Sequence, residues 1–169
     1  MRRCAILMLV ALSFAPLRGQ EVKNASCPST AKLDDLANAL DAAVSGPGNK
    51  DRTCLRAILL PEARLSPIHK SQDGTYSARV LTVDDWIAAV AKRGSATFYE
   101  HQIKVTTETY GHFAHLWSTY EIKSTPDSKP EMTGINSIQA VFDGSQWKVL
   151  SILWEPDTTA GPVPQKYLP

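Results

Sequence analysis

The sequence predicts an α+β fold, with helices first, a curved antiparallel sheet after them, and the helices packed on the sheet's apolar face. Three observations carry this reading. Residues 33–44 and 83–90 repeat apolar side chains at helical spacing, and residues 97–155 fall into four long alternating segments.

The chain opens with Met1-Arg2-Arg3 and an apolar run from Cys4 to Ala15 that ends at Pro16 and Arg18. This is the anatomy of a signal peptide, and the run is shorter than the roughly 20 apolar residues a membrane span needs. Cleavage is expected after Gly19. Residues 1–19 are then a signal peptide, and the mature chain is exported to a bacterial periplasm or the extracellular space without a stable membrane anchor. Cleavage takes 18 basic and 17 acidic residues to 15 and 17, which leaves a small negative net charge. No charge run or basic stripe occurs, so nucleic acid is excluded as a partner.

Residues 20–29 form a polar leader. Leu33, Leu36, Ala37, Leu40, Ala43 and Val44 line one face of a first helix, which stops at Gly46-Pro47-Gly48. Asp51 caps a short second helix carrying Leu55, Ile58 and Leu59 up to Pro61. Ala63 to Ile68 and Thr75 to Leu81 read as short strands around Gln72-Asp73-Gly74. Thr82 with Asp85 resembles a capping box for a third helix, which shows Val83, Trp86, Ile87 and Val90 on one face and ends at Gly94. Four antiparallel strands follow, at Thr97 to Thr109, His112 to Lys123, Gly134 to Phe142 and Trp147 to Glu155. The domain covers residues 30–158, and the Pro-rich tail, 159–169, is expected to lie extended on the surface.

The mature chain keeps Cys27 and Cys54 in a compartment where disulfides persist. A whole helix lies between them, and a bridge and two separate buried thiols both stay open.

Several short patterns resemble a known superfamily. They are Phe98-Tyr99-Glu100; Gly111, Ala114, Ser118 and Tyr120-Glu121; Gly134-Ile135-Asn136-Ser137-Ile138-Gln139; and Trp147-Lys148-Val149 running to Trp154-Glu155. With the element order, they make the chain similar to the nuclear-transport-factor-2-like, or SnoaL-like, superfamily, and to an uncharacterised exported bacterial subgroup of it. The resemblance implies a cone-shaped curved antiparallel sheet of the cystatin-like kind, three helices of the N-terminal half packed on its concave face, and an apolar cavity between them. It also implies a homodimer through the outer sheet face, where Trp117 is expected. It does not assign chemistry, because one fold carries many activities.

The ketosteroid isomerases of this superfamily use an Asp base, an oxyanion-hole Tyr and a protonated acid. By likeness these positions fall near Ser66-Pro67, on the first helix and at Ser137. The first two groups are absent, since the earliest Tyr is Tyr76, and Ser137 cannot serve as the acid.

On the Thr97 to Thr109 strand the odd positions Tyr99, His101, Ile103 and Val105 form the apolar face, which makes Glu100 and Glu108 solvated. With Tyr110-Gly111 as the turn, His101 comes opposite Tyr120. That pair is either an acid/base couple in the cavity or a core histidine satisfied by the phenol. Both faces of the last hairpin are apolar, so periodicity cannot choose between them. The resemblance favours the face of Trp154, which makes Ser137, Gln139 and Trp154 cavity candidates. Trp86 is a further candidate, with core packing as the alternative.

His112 and His115 point to opposite faces of a strand, and the cysteines lack CxxC spacing, so no metal is expected. No cofactor motif occurs. The function expected is a ligand-binding module for a small apolar molecule. Two alternatives stay open: an isomerase-, cyclase- or dehydratase-type enzyme using His101 and Tyr120, and a non-catalytic homodimeric assembly module.

Overall fold

A computed structural model describes residues 26–169. The expected signal peptide, residues 1–19, and most of the expected polar leader lie outside the described residues. No described helix is long and apolar enough to cross a membrane.

The order is α1 (Asp34–Val44), β1 (Gly46–Pro47), α2 (Thr53–Ile58), β2 (Leu59–Lys70), β3 (Tyr76–Ala78), α3 (Val83–Ala91), β4 (Thr97–Tyr110), β5 (Phe113–Lys123), β6 (Met132–Phe142), β7 (Trp147–Pro156), α4 (Asp157–Ala160) and a 3-10 turn, Gln165–Tyr167. α1 begins with Asp34 and Asp35, whose charge suits the positive end of the helix. Its C-terminal carbonyls are capped by a buried side chain. The Arg52 guanidinium donates to the carbonyls of Ala43, Val44 and Ser45 at 2.7, 2.8 and 3.2 Å. α3 carries the capping box read from the sequence: Thr82 Oγ1 accepts from the Asp85 N–H, and Asp85 Oδ2 accepts from the Thr82 N–H, both at 3.1 Å.

Seven strands form one sheet in the order β1-β4-β5-β6-β7-β2-β3. The expected antiparallel pattern holds for every pair except β2 with β7, which run parallel. β2 is also longer than expected, beginning directly after α2 and passing through Pro61. Leu36, Leu40, Leu55 and Ile58 from the helices meet Leu116, Ile138 and Val149 from the inner sheet face in the core.

Cys27 and Cys54 form a disulfide that ties the leader to α2, with 5.2 Å between their Cα atoms. Beside it Thr30 is fully buried, and its hydroxyl donates to the Trp147 carbonyl at 2.8 Å.

Two register shifts among the antiparallel strands β4 to β7, beside a third between β2 and β7 at Leu59–Arg64, decide which side chains face the helices. The β4–β5 turn sits at Gly111-His112, since Tyr110 pairs with Phe113. The register then slips by one between Gln102 and Lys104. A slip of one residue exchanges the faces. Phe98, Glu100 and Gln102 therefore point inward, and Tyr99 and His101 do not. The second irregularity lies between Gln139 and Ala140 against β7.

Candidate functional sites

The inner site is a polar cluster strung between α1 and the sheet. Asp41 stands four residues after Ala37 and three before Val44, on the apolar face of α1, and is buried. There its carboxylate meets β4, where the Gln102 N–H donates to Oδ2 at 2.8 Å and the Gln102 side-chain amide donates to Oδ1 at 2.9 Å. Ser45 acts the same way one turn on, accepting from the Glu100 N–H at 2.9 Å. Side chains of α1 thus satisfy backbone groups that β4 would otherwise leave open.

Gln102 is the hub. Its amide nitrogen also donates to Glu100 Oε1 at 2.9 Å, and its amide oxygen accepts from the Ser118 hydroxyl. Asn136 donates to the same Glu100 oxygen at 3.1 Å. Burial, reinforced by the Asp41 charge, pushes the Glu100 carboxyl up to about 7. Asp41 is raised as well, chiefly by burial, although its bonds to Gln102 work against the shift. The Tyr120 phenol is raised by burial and by the charges of Glu100 and Asp157. Close approach at Tyr120 depends on Gly134, where a Cβ would strike the phenol and come within 2.6 Å of the Glu155 carbonyl. Glu100, Tyr120, Asn136, Trp86 and Trp154 line a cavity of about 60 Å³. That is room for a water or two, well below the roughly 300 Å³ where small-molecule sites begin.

A roomier space than this lies on the opposite side of the sheet. After β7 the chain makes α4, reverses at Gly161 with φ of 87°, and crosses the outer face. Tyr167 packs on Trp117 with ring centroids 5.7 Å apart, and the Thr119 hydroxyl donates to the Tyr167 carbonyl at 2.7 Å. Lys104 donates to the carbonyls of Lys166 and Leu168 at 3.1 and 2.7 Å. The Pro-rich tail is therefore a strap bound to the sheet. Beneath it lies a cavity of about 440 Å³ with mostly apolar walls, to which Trp117, Ser137, Trp154, Asp157 and Tyr167 contribute. Trp117 Nε1 and Asp157 Oδ1, on residues of these walls but themselves closed off from solvent and cavity, have no hydrogen-bond partner among the described residues.

The residues singled out from the sequence are distributed between these places. Tyr120, Trp86 and Trp154 reach the inner cavity, and Trp154 touches the outer one too. Ser137 lies on the outer face, opposite Trp117 and Leu153, with its hydroxyl 3.0 Å from His115 Nε2. Gln139 is on that face as well, opposite His115 and Ser151. Trp154 instead pairs with Asn136, so it does not share a face with Ser137 and Gln139. His101 pairs with Glu121 and not with Tyr120; its side chain is 63% exposed, and Nδ1 lies 3.5 Å from Asp41 Oδ2. Glu100, expected in solvent, is the inner acid. Among the described residues no group of three His, Cys, Asp or Glu side chains could hold a metal.

Sequence reasoning missed Asp41, Gln102, Asn136, Asp157 and Tyr167. A carboxylate on the apolar face of α1 was the available signal for the inner cluster; nothing comparable pointed to the strap.

No family model matches the sequence, and no curated protein matches it. Several solved structures are similar in fold. One is a protein of unknown function with a cystatin-like fold from Nostoc punctiforme, 11% identical, TM-score 0.56, covering 74% of this chain and 88% of that one. Another is the CaMKII hub of S. rosetta, 12% identical, TM-score 0.54, covering 78% and 98%. A third is an NTF-2-like protein of unknown function from Silicibacter pomeroyi, 15% identical, TM-score 0.52, covering 73% and 92%. At these identities the likeness shows the fold, which is nuclear-transport-factor-2-like and cystatin-like.

Proposed function

We propose that this chain is an exported protein whose nuclear-transport-factor-2-like domain binds a small, mainly apolar molecule in the cavity between the outer sheet face and the C-terminal strap. The observation that carries the reading is a space of about 440 Å³ with mostly apolar walls, held under a strap that is bonded to the sheet. The volume falls in the range of small-molecule sites, and a few polar groups in apolar walls are what such sites use to orient a ligand. Export rests on residues 1–19. The inner cavity, where the family resemblance would put a ligand, is too small at about 60 Å³. The acid/base alternative loses its geometry, since the His101 ring is turned away from Tyr120.

Native mass spectrometry of the secreted chain, before and after deletion of residues 162–169, tests this. A co-purified small molecule that disappears with the strap is the expected result. A chain that carries none and whose tryptophan fluorescence ignores apolar probes would overturn the proposal.

The homodimer remains a second reading. Leu150 and Leu153 stay exposed, at 39% and 43%, and Leu153 also lines the strap cavity. A dimeric mass by light scattering at micromolar concentration, lost on Leu150→Lys, is its expected signature; a monomer discards it.

A further inference from the structure

We infer that the strap is a hinged lid, which lets go of the sheet at residues 166–168 and swings about Gly161 to admit a molecule to the cavity. This rests on the reading that the cavity binds a ligand, and it adds how the ligand comes and goes.

The strap itself closes the cavity. Residues 160–164 and Tyr167 contribute to its walls, together with Trp117 and Ser137 of the sheet. None of residues 161–169 is buried, so the strap adds nothing to the core. Its fastening is concentrated at the far end. There the carbonyls of Lys166, Tyr167 and Leu168 each accept from a side chain of the sheet. Lys104 donates to the first and last at 3.1 and 2.7 Å, and the Thr119 hydroxyl donates to the middle one at 2.7 Å. A segment held by a few bonds and no core packing opens locally, well before the molecule unfolds.

The near end supplies the pivot. Gly161, directly after α4, has φ of 87°, a conformation that glycine enters and leaves freely. Pro162 and Pro164 follow, and their rings fix φ, so the arm beyond the pivot is stiff. A permissive joint, a stiff arm and a latch at the tip confine the motion to one or two torsions, as lid hinges do. Tyr167 ties the latch to the cavity, because the ring that packs on Trp117 also contributes to the walls. An occupant touches that ring only while the lid is shut, so occupancy favours the closed state.

The test is amide hydrogen exchange, read by NMR on the mature, disulfide-bonded chain, with and without N-phenyl-1-naphthylamine, a neutral apolar probe whose fluorescence reports its binding. The Tyr167 and Leu168 amides donate to the Pro164 and Gln165 carbonyls in the turn that the latch holds in place. They are expected to exchange about a hundredfold faster than the central amides of β5 and β6. Lys104→Met should speed them about tenfold further and leave β5 and β6 unchanged, as loss of a charge-assisted bond warrants. Bound probe should slow the same two amides in the parent. Strap amides as protected as those of β5, a Lys104→Met strap that exchanges like the parent's, or bound probe without any slowing would overturn the lid while the cavity reading stands. If the parent binds no probe, both readings fall together. The parent series decides even if Lys104→Met does not fold.

Discussion

Gln102 and Asp41 are joined twice, through the backbone N–H to Oδ2 and through the side-chain amide to Oδ1, so one carboxylate clamps α1 to β4. The same amide separates Asp41 from Glu100. Gln102→Leu would keep the approximate volume and leave the buried Asp41 and the half-buried Glu100 without their shared donor. A loss of about 2–4 kcal/mol is expected in urea unfolding. A loss under about 0.5 kcal/mol, the usual effect of an exposed site, would mean that the cluster is not buried as described.

The acids make stability depend on pH in an unusual direction. Glu100 is raised from 4.5 to about 7 by burial and by Asp41, so the folded chain binds more protons than the unfolded one between those values. Stability therefore falls as pH rises through that window, the reverse of a salt-bridged carboxylate. Glu100→Gln should flatten the dependence and make the chain more stable than its parent at about pH 8, by on the order of 1–3 kcal/mol. Unfolding midpoints of both proteins across the window check this, and parallel curves would exclude Glu100 as the titrating group.

Gly134 is required by its neighbours and not by its own torsions. A Cβ there meets the Tyr120 phenol and stands 2.6 Å from the Glu155 carbonyl. Gly134→Ala should cost about 1–3 kcal/mol, the usual range for overpacking. Adding Tyr120→Phe should restore only part of it, because the backbone carbonyl remains; full restoration would place the whole conflict at the hydroxyl.

The Cys27–Cys54 bond closes a loop of sequence separation 27. Replacing both cysteines by Ser should lower stability by about 3–4 kcal/mol on the chain-entropy account. Reducing agent should shift the thermal midpoint of the parent and not of the variant. Identical shifts in both would point to a cause other than this bond.

Element existence was legible in the sequence because it depends on local pattern. The α1 stripe, the Thr82 capping box and the four long strands stand where periodicity puts them. Facing was not. Alternation along β4 puts Glu100 in solvent, and the bulge after Gln102 exchanges the faces of Glu100 and Gln102, a slip that no pattern within the strand announces. The inner acid also relies on Asp41, far off in the chain, to hold Gln102 in place. Ser137 and Gln139 were grouped with Trp154 for a related reason, since register across the last hairpin fixes which residues share a face. The strap was read as an extended surface tail because Pro-rich segments have no periodicity, and its attachment through Tyr167 and Lys104 is wholly tertiary.

The parallel pairing of β2 with β7 governs the order in which the molecule can be completed. Leu59 lies opposite Val149, and β3 joins the sheet only through β2. During synthesis the early helices and both of these strands leave the ribosome long before the strand that receives them. Long-range pairings of this kind are slow to form, and the waiting segments keep their apolar faces uncovered. A nascent chain stalled before residue 147 can pair β2 with β3 on one edge, and its other edge stays open until β7 is made.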